Sequence, residues 1–216
     1  GETVPVVHID TYLDTVSYQL LRTGYSLRLR QTGQVFAVTL KALPTTGASP
    51  IHTRLEFEGP VADASDPLNI KGWPKPIRQL LLDLLGKTIK LRPLCILHQR
   101  RQKRAISTKA RRETPAAVVA ELSIDEVTLY APYAHLVKLT EPDALDKAKP
   151  LTSFWEIEVE LKPGQNVATL ELLSARLGRD RGLQPNHTSK FERAMAIVNL
   201  HAPHTEQFVP FIQPTM

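Results

Sequence analysis

The chain has 216 residues, of which 42% are hydrophobic and 23% charged, the composition of an ordinary folded globular protein. This composition excludes a chain that is disordered throughout, and the sequence has no run of about 20 apolar residues that would span a bilayer. The net charge of +5 is modest, and the one cysteine, Cys95, excludes an internal disulfide framework and a cysteine-rich zinc site.

Three segments in the first half of the chain alternate between apolar and polar residues with the period of two that half-buried strands show. They are Ser26–Arg30, Gln34–Lys41 and His52–Glu58. In the first segment Leu27 and Leu29 share one face, and Arg28 and Arg30 share the other. The sequence therefore predicts three strands here. Two of them have a charged face, formed by Arg28 and Arg30 in the first segment and by Arg54, Glu56 and Glu58 in the third.

Three further segments in the second half of the chain also predict strands. They are Leu94–Ser107, Val118–Leu129 and Phe154–Lys162. The last of them alternates most clearly, because Trp155 and Ile157 lie on one face while Glu156 and Glu158 lie on the other.

A cluster of basic residues lies in the strand predicted at Leu94–Ser107. Alternation puts Arg101 and Lys103 on one face and Arg100 and Arg104 on the other, so only one pair can share a face with the glutamates. The spacing alone does not separate the two choices, and we select Arg101 for the functional face.

Helical spacing of apolar residues appears in three segments. They are Pro76–Leu85, which ends at Gly86, then Gln165–Gly182, and Thr188–Leu200, with Thr188 or Ser189 as the N-cap. The segments Pro44–Pro50 and Pro60–Pro67 are rich in turn-forming residues and predict loops. Three prolines after Leu200 predict an extended tail.

The charged strand faces allow two arrangements. In the first, each charged face is simply the solvated side of an antiparallel sheet. In the second, the strands close into a barrel with a charged, wet interior, and their apolar faces point outward under the three helices. Because the pattern recurs over several strands, we favour the second arrangement and predict an α+β fold.

Several motifs along the chain carry a resemblance to a known family. Thr11–Lys41 contains Tyr-Leu-Asp-Thr, Leu-Arg-Leu-Arg and a final Thr-Leu-Lys, and Glu156–Leu161 reads EIEVEL before a helix and Ser189–Ala194. In this order and spacing, from about Ile9 to Leu200, they resemble the CYTH family of triphosphate tunnel metalloenzymes. The C-terminal motifs are most similar to bacterial members that precede a helical CHAD domain.

The resemblance implies an antiparallel, eight-stranded, tunnel-like β-barrel with a charged lumen and helices packed outside. The family opens with a strand of the pattern E-x-E-x-K, and this sequence has no such pattern ahead of Thr11, so one strand of the tunnel is expected to be missing from this chain. Residues 1–200 are the expected tunnel domain, and residues 201–216 are the expected proline-rich tail leading to a CHAD domain.

The resemblance also implies roles for individual residues. The basic residues expected to bind phosphate are Arg28, Arg30, Lys41, Arg54, Arg101 and Lys190. The acidic residues expected to bind Mg²⁺ or Mn²⁺ are Glu156, Glu158, Glu56 and Asp125. The residues expected to be catalytic are Glu156, Glu158 and Lys41. Guanidinium groups suit phosphate oxygens, and carboxylates are the hard oxygen ligands that these metals prefer.

The implied function is metal-dependent hydrolysis of a triphosphate, with inorganic tripolyphosphate as the expected substrate. The alternative is a non-catalytic module that binds polyphosphate or a nucleotide and is coupled to a helical partner domain. An adenylate cyclase is compatible with the same fold, although no motif here recognises adenine. RNA binding is disfavoured because aromatic residues are not interleaved with the basic ones.

The expected partners are a triphosphate or polyphosphate substrate, a following CHAD domain and a second copy in a homodimer, with no membrane partner. The expected location is the cytoplasm, because the sequence has a single cysteine and does not begin with a signal-peptide pattern. Cys95 is expected to be a buried core residue rather than a nucleophile.

Overall fold

A computed structural model describes residues 4–43, 54–109, 115–132, 145 and 148–201. These ranges contain seven strands: β1 (Val6–Asp14), β2 (Tyr25–Thr32), β3 (Val35–Ala42), β4 (Glu56–Pro60), β5 (Arg92–Ser107), β6 (Val118–Tyr130) and β7 (Thr152–Leu161). They also contain four α-helices: α1 (Gln19–Arg22), α2 (Lys75–Leu85), α3 (Ala168–Leu177) and α4 (Lys190–His201). No helix in the described part of the chain is both long and apolar enough to cross a bilayer.

The strands form one antiparallel sheet in the order β4-β3-β2-β1-β5-β6-β7. It consists of two meanders, β1 to β4 and β5 to β7, joined where β1 pairs with β5. The α+β class and the antiparallel sheet are confirmed. Over the described ranges the sheet has seven strands, and β4 and β7 are its outermost members.

The central strand β1 and the short helix α1 are the two elements that the sequence patterns failed to predict. β1 is paired on both sides, and from Asp10 to Asp14 every residue is buried, so an alternation of buried and exposed positions is absent there. Asp10 and Asp14 also look like turn residues in the sequence. Helix α1 has four residues, which is too short for a helical period to be visible.

Helix α2 covers the apolar side of the first meander. Ile77 and Leu81 lie one turn apart on the same helix face and are fully buried against strand residues such as Leu27 and Leu40. The helix ends at Gly86, whose φ of +81° is a conformation that glycine adopts at little cost. This helix and its position agree with the prediction.

Helix α4 corrects the prediction that all the helices lie on the apolar faces of the strands. It packs on the other face of the sheet, the one that carries the charged residues, at an end where that face is apolar. The Phe191 ring stacks on Tyr12, with ring centroids 4.7 Å apart, and Met195 belongs to the same buried cluster. Cys95 is fully buried in this cluster, as predicted, and burial raises the pKa of its thiol.

The prediction that helices cover the apolar faces of the strands is also wrong on the apolar side of the second meander. Trp155 on β7 is 66% exposed, and α3 has no buried residue. Helix α3 is also shorter than the helix predicted over Gln165–Gly182. The loop predicted at residues 44–50, the first residues of the strand predicted from His52, and residues 202–216 of the predicted tail lie outside the described part of the chain.

Candidate functional site

One face of the sheet gathers ionisable and polar side chains from all seven strands. We call it the charged face, and the pairing of the strands brings these residues onto it: His8, Asp10, Arg28, Arg30, Thr39, Lys41, Glu56, Glu58, Gln99, Arg101, Asp125, Glu156 and Glu158. The ion pairs divide most of them into two clusters, one on the first meander and one on the second.

Asp10 is the centre of the first cluster. Its carboxylate is fully buried and accepts hydrogen bonds from Arg30 Nε at 2.6 Å and Arg30 Nη2 at 2.7 Å. Arg28 Nη1 lies 3.5 Å from the same carboxylate, and Gln99 Nε2 donates to it as well. Burial alone would raise the pKa of Asp10, but the charge of Arg28 and the hydrogen bonds and charge of Arg30 outweigh it and hold that pKa below its ordinary value.

Arg28 connects this aspartate to the edge of the sheet. Its Nη2 donates to Thr39 Oγ1 at 3.0 Å and to Glu58 Oε2 at 3.2 Å, and Thr39 Oγ1 donates to Glu58 at 2.8 Å. The Nε of Arg28 is buried and has no acceptor within the described ranges. A buried donor without an acceptor is unfavourable, so this guanidinium is suited to an additional oxygen ligand.

Arg101 organises the second cluster in the same way that Arg30 organises the first. Its Nε and Nη2 donate to the fully buried carboxylate of Asp125 at 2.7 and 2.6 Å, and Nη2 also donates to Glu158 at 2.9 Å. In both arginines the Nε and Nη2 edge is therefore occupied by a buried aspartate. The Nη1 nitrogens of Arg30 and Arg101 have no such partner in the described part of the chain, so each keeps N–H donors for a ligand.

Lys190, the first residue of α4, completes the second cluster. Its Nζ lies 2.9 Å from Asp125 Oδ2, 3.0 Å from Glu156 Oε1 and 2.8 Å from Glu158 Oε1. The side chain is only 8% exposed. One buried ammonium thus contacts three carboxylates, and the charges of Glu158, Glu156 and Asp125 raise the pKa of Lys190 against the opposing effect of burial.

The start of α4 has a capping box that fixes the backbone position from which the Lys190 side chain extends. Ser189 and Glu192 form reciprocal capping bonds: Ser189 N donates to Glu192 Oε2 at 2.8 Å, and Glu192 N donates to Ser189 Oγ at 3.2 Å. This is the capping box that the S-x-x-E spacing of the sequence encodes, and it identifies Ser189 rather than Thr188 as the N-cap.

The two glutamates of β7 have pKa values that differ in direction. Burial would raise the pKa of Glu158, but the charge and hydrogen bond of Lys190, then the charges of Arg101 and Lys41, lower it to about 2. Burial raises the pKa of Glu156, against the charge of Lys190 and with the help of the charge of Glu158. Glu156 therefore accepts a proton more readily than its neighbour.

The effect of the Lys41 charge on the pKa of Glu158 also indicates the shape of the sheet. Lys41 lies on β3 and Glu158 on β7, five strand spacings away in the sheet order, which would be about 24 Å in a flat sheet. A charge at that distance would act weakly, so we infer that the sheet curls across its charged face and brings the two meanders towards each other. The charged face is therefore concave.

His8 and Gln99 are paired with each other on neighbouring strands and lie between the two clusters. His8 Nδ1 is 2.7 Å from Thr32 Oγ1, and burial followed by the charge of Arg30 lowers the His8 pKa to about 4. Gln99 is fully buried, and its Oε1 has no donor within the described ranges. At neutral pH these two side chains are therefore uncharged.

The donor chemistry of the second cluster fits a divalent metal ion. Asp125, Glu156 and Glu158 direct carboxylate oxygens to one point, as hard cations such as Mg²⁺ and Mn²⁺ require. The cation at that point is the ammonium of Lys190. With the carboxylates turned onto it, no group of three or more acidic, histidine or cysteine side chains in the described ranges is arranged as a metal site.

The structure brings most of the predicted site residues together. Five of them form the second cluster (Arg101, Asp125, Glu156, Glu158 and Lys190), and two lie in the first (Arg28 and Arg30). Lys41 and Glu56 form a 2.6 Å ion pair across β3 and β4. Arg54 precedes β4, half-buried, and no ion pair in the described ranges joins it to either cluster.

Sequence reasoning missed several residues of the charged face: His8, Asp10, Thr39, Glu58 and Gln99. Asp10 lies two residues before Tyr12 and shares its strand face, but β1 lacks the alternation that would have predicted a strand there. Thr39 and Gln99 are uncharged and could not be separated from ordinary strand residues.

Comparisons with known proteins agree with this geometry. The sequence matches the CYTH domain family over residues 2–194. A proposed adenylate cyclase from Bacillus halodurans is similar in structure, with a TM-score of 0.54 and 17% identity over 88% of this chain and 82% of that chain. A proposed adenylyl cyclase from Hippeastrum, described as having a dominant triphosphatase activity, has a TM-score of 0.51 and 14% identity over 90% and 84% of the two chains.

Among curated proteins, none matches the sequence significantly. At these low identities the structural similarity concerns the fold alone, whereas the family match extends over almost the whole chain. The chain belongs to the CYTH family.

Proposed function

We propose that the charged face binds a triphosphate and hydrolyses one of its phosphoanhydride bonds with the help of a divalent metal ion, and that inorganic tripolyphosphate is the substrate. The observation that carries the proposal is the pair of arginine–aspartate contacts, Arg30 with Asp10 and Arg101 with Asp125, on a concave face that also holds three convergent carboxylates. Cations for a polyanion and ligands for a metal are thus side by side.

The basic residues would act on the substrate by position and charge. A triphosphate needs several cations along its length, and rigid guanidinium groups hold phosphate oxygens at fixed angles. Arg28, Arg30 and Arg101 are held by buried aspartates, so they are oriented before the substrate arrives. This preorganisation avoids an ordering cost during binding and directs charge towards the phosphoryl group in the transition state.

Asp125, Glu156 and Glu158 would hold the metal, with Glu56 contributing from the opposite side of the curled sheet. When bound, Mg²⁺ or Mn²⁺ would polarise the phosphoryl group and orient a water. Glu156 and Glu158 are the proposed catalytic carboxylates of this set, because the ligands of the metal also determine where the water that it orients is placed. Lys41 would neutralise charge on the phosphate nearest to β3 and β4.

The family supports this function at the level of chemistry. The CYTH family includes triphosphatases and adenylyl-cyclase-like enzymes, and its members use divalent metal ions. The closed eight-stranded tunnel, the following CHAD domain and the homodimer stay predictions.

The experiment is a phosphate-release assay with tripolyphosphate, ATP and diphosphate, each with Mg²⁺, with Mn²⁺ and with excess chelator. We expect metal-dependent release that is fastest with tripolyphosphate. Glu158→Gln should lower the rate by at least about 100-fold, because it removes a metal ligand and keeps the shape of the side chain. Glu126→Gln, on the opposite face of β6, is the matched control and should keep the wild-type rate. Equal rates in Glu158→Gln and the wild type would refute the assignment.

A second candidate function is binding of a polyphosphate without turnover. One observation favours it: all three carboxylates of the second cluster are engaged by cations of the protein itself. This candidate predicts salt-dependent binding of tripolyphosphate, measured by calorimetry, with no phosphate release at any metal concentration. Metal-dependent release would exclude it.

A further inference from the structure

Lys190 is more buried and contacts more carboxylates than a lysine that only neutralises a charge would need to. Surface lysines that neutralise a carboxylate contact one oxygen and remain hydrated, and their contribution is small. Lys190 is instead buried and contacts three carboxylates at 2.8 to 3.0 Å. A single compact cation surrounded by three carboxylate oxygens has the arrangement of ligands around a bound metal ion.

We propose that Lys190 is the resident cation of the site formed by Asp125, Glu156 and Glu158, and that a divalent metal ion binds there only by displacing the ammonium. This inference rests on the proposed function for the identity of the ligands. It adds a competition within the protein that controls metal entry.

The charge balance of the cluster makes the Lys190 ammonium a cation that a metal ion can replace. Asp125, Glu156 and Glu158 bring three negative charges, and Arg101 neutralises one of them through fixed bidentate contacts with Asp125. The ammonium of Lys190 neutralises a second. Exchanging this single charge for a doubly charged metal would bring the cluster closer to neutrality, which favours the exchange once a metal is available.

The geometry excludes simultaneous binding of the Lys190 ammonium and a metal ion among the three carboxylates. Mg²⁺ requires oxygen ligands at about 2.0 to 2.1 Å. The three oxygens now face an ammonium at hydrogen-bonding distance, and a second cation among the same oxygens would meet strong repulsion from it. One of the two cations must leave.

The helix allows Lys190 to leave without unfolding the site. Lysine has a flexible four-carbon stem and no fixed hydrogen-bond plane, unlike the arginine fork of Arg101. Helix α4 is anchored independently by Phe191 and Met195 in the apolar cluster and by the capping box at Ser189. A change in the side-chain rotamer of Lys190 therefore suffices to open the carboxylate site, and the helix stays in place.

The test is a measurement of Mn²⁺ binding to the intact chain without any phosphate ligand, by electron paramagnetic resonance of free Mn²⁺ and by calorimetry. Lys190→Met should bind one Mn²⁺ at least about tenfold more tightly than the wild type, because one opposite charge in contact shifts a carboxylate's affinity for a proton by one to three powers of ten. Lys190→Arg keeps the charge and should bind Mn²⁺ no more tightly than the wild type.

Lys162→Met is the matched control for loss of one lysine charge. Lys162 contacts Glu121 at 3.3 Å near the end of β7, away from the three carboxylates, and its removal should change Mn²⁺ affinity by less than about twofold. The proposal is overturned if Lys190→Met binds Mn²⁺ as weakly as the wild type, or if Lys162→Met or Lys190→Arg gains affinity to the same extent.

Thermal unfolding keeps the test decisive if Lys190→Met is unstable by itself. Without the ammonium, three unpaired carboxylates repel one another, and Mn²⁺ should raise the melting temperature of this variant more than that of the wild type. An equal or smaller rise would also overturn the proposal. These measurements do not use turnover, so an inactive protein that shows the competition would refute the proposed function alone, and an active protein without it would refute this inference alone.

Discussion

Two buried aspartates, Asp10 and Asp125, determine how the charged face works at the scale of single residues. Each is fully buried, and each accepts two hydrogen bonds from the Nε and Nη2 edge of one arginine. A buried carboxylate is unfavourable unless it is paired, so each aspartate requires its arginine and fixes the direction of the guanidinium. The aspartates thus orient the arginines without having to touch a ligand.

Removal of the first aspartate should reveal this dependence. Asp10→Ala leaves Arg28 and Arg30 partly buried without their common anion, and we expect the free energy of unfolding to fall by about 3 to 5 kcal/mol. Denaturant unfolding measures the change. Asp66→Ala removes an exposed aspartate from a loop and should stay within about 0.5 kcal/mol of the wild type. A loss in Asp10→Ala no larger than in this control would contradict the account.

The sequence predicted individual residues best where charge alternated with apolar side chains. For Arg28, Arg30, Glu156 and Glu158 the alternation predicted which side chains share a strand face, and the family resemblance supplied their expected roles. Asp10 was missed, because its strand is buried on both sides and shows no such alternation. Periodicity also cannot show contacts between distant strands, so the approach of Lys190 to the glutamates was accessible only through the family resemblance.

At the scale of whole elements, helix α4 shows what the sequence pattern could predict and what it could not. The spacing of Phe191, Ala194, Met195 and Val198 predicted the helix and its apolar stripe. It could not predict which face of the sheet would receive that stripe. The deciding feature is that the charged face becomes apolar at one end, where Tyr12 and Phe154 lie, and α4 covers this end. The helix thereby carries Lys190 to the carboxylates.

The packing of α4 can be tested within the helix. Phe191 is 3% exposed and stacks on Tyr12, so Phe191→Ala should lower the free energy of unfolding by about 3 to 5 kcal/mol through the cavity that it leaves. Leu200→Ala in the same helix removes a side chain that is 79% exposed and should change it by less than about 0.5 kcal/mol. Chemical denaturation compares the two. Similar losses would mean that α4 is not anchored through Phe191.

The whole molecule balances positive and negative charge over a concave face. Its net charge of +5 gave no direct evidence for a function, since the cations of the charged face are matched closely by carboxylates. The α+β class and six of the seven strands could be predicted from the sequence. The curl of the sheet could not, because it depends on the twist accumulated over all the strands and on the side chains that fill the face.

The burial of ionisable side chains makes the stability of the fold dependent on pH. The pKa of His8 is lowered to about 4 in the folded state from its ordinary 6.5, so the unfolded chain binds a proton first as the pH falls. The contribution of His8 is therefore complete above pH 6.5 and is lost as the pH falls through 4, by about 2 to 3 kcal/mol. Glu158, with a pKa of about 2, extends the loss below pH 4.5.

Unfolding free energies measured from pH 7 to pH 4 test this behaviour. His8→Gln should lack the part of the loss between pH 6.5 and pH 4, because glutamine does not titrate. His187→Gln removes an exposed histidine and should follow the wild-type profile. If His8→Gln and the wild type lose stability in parallel over this range, His8 is not a neutral buried group in the folded protein.

Two adjacent arginines on β5 allow the most direct test of the central claim, that the charged face is a triphosphate site. Arg101 lies on this face with Asp125 and Glu158, whereas Arg100 lies on the opposite face and pairs with Glu126 at 3.0 Å. The measurement is Mg²⁺- or Mn²⁺-dependent phosphate release from tripolyphosphate by Arg101→Met and Arg100→Met, after circular dichroism shows that both are folded. The account predicts at least about a 100-fold loss for Arg101→Met and less than about a twofold change for Arg100→Met. Equal rates in the two variants would contradict it.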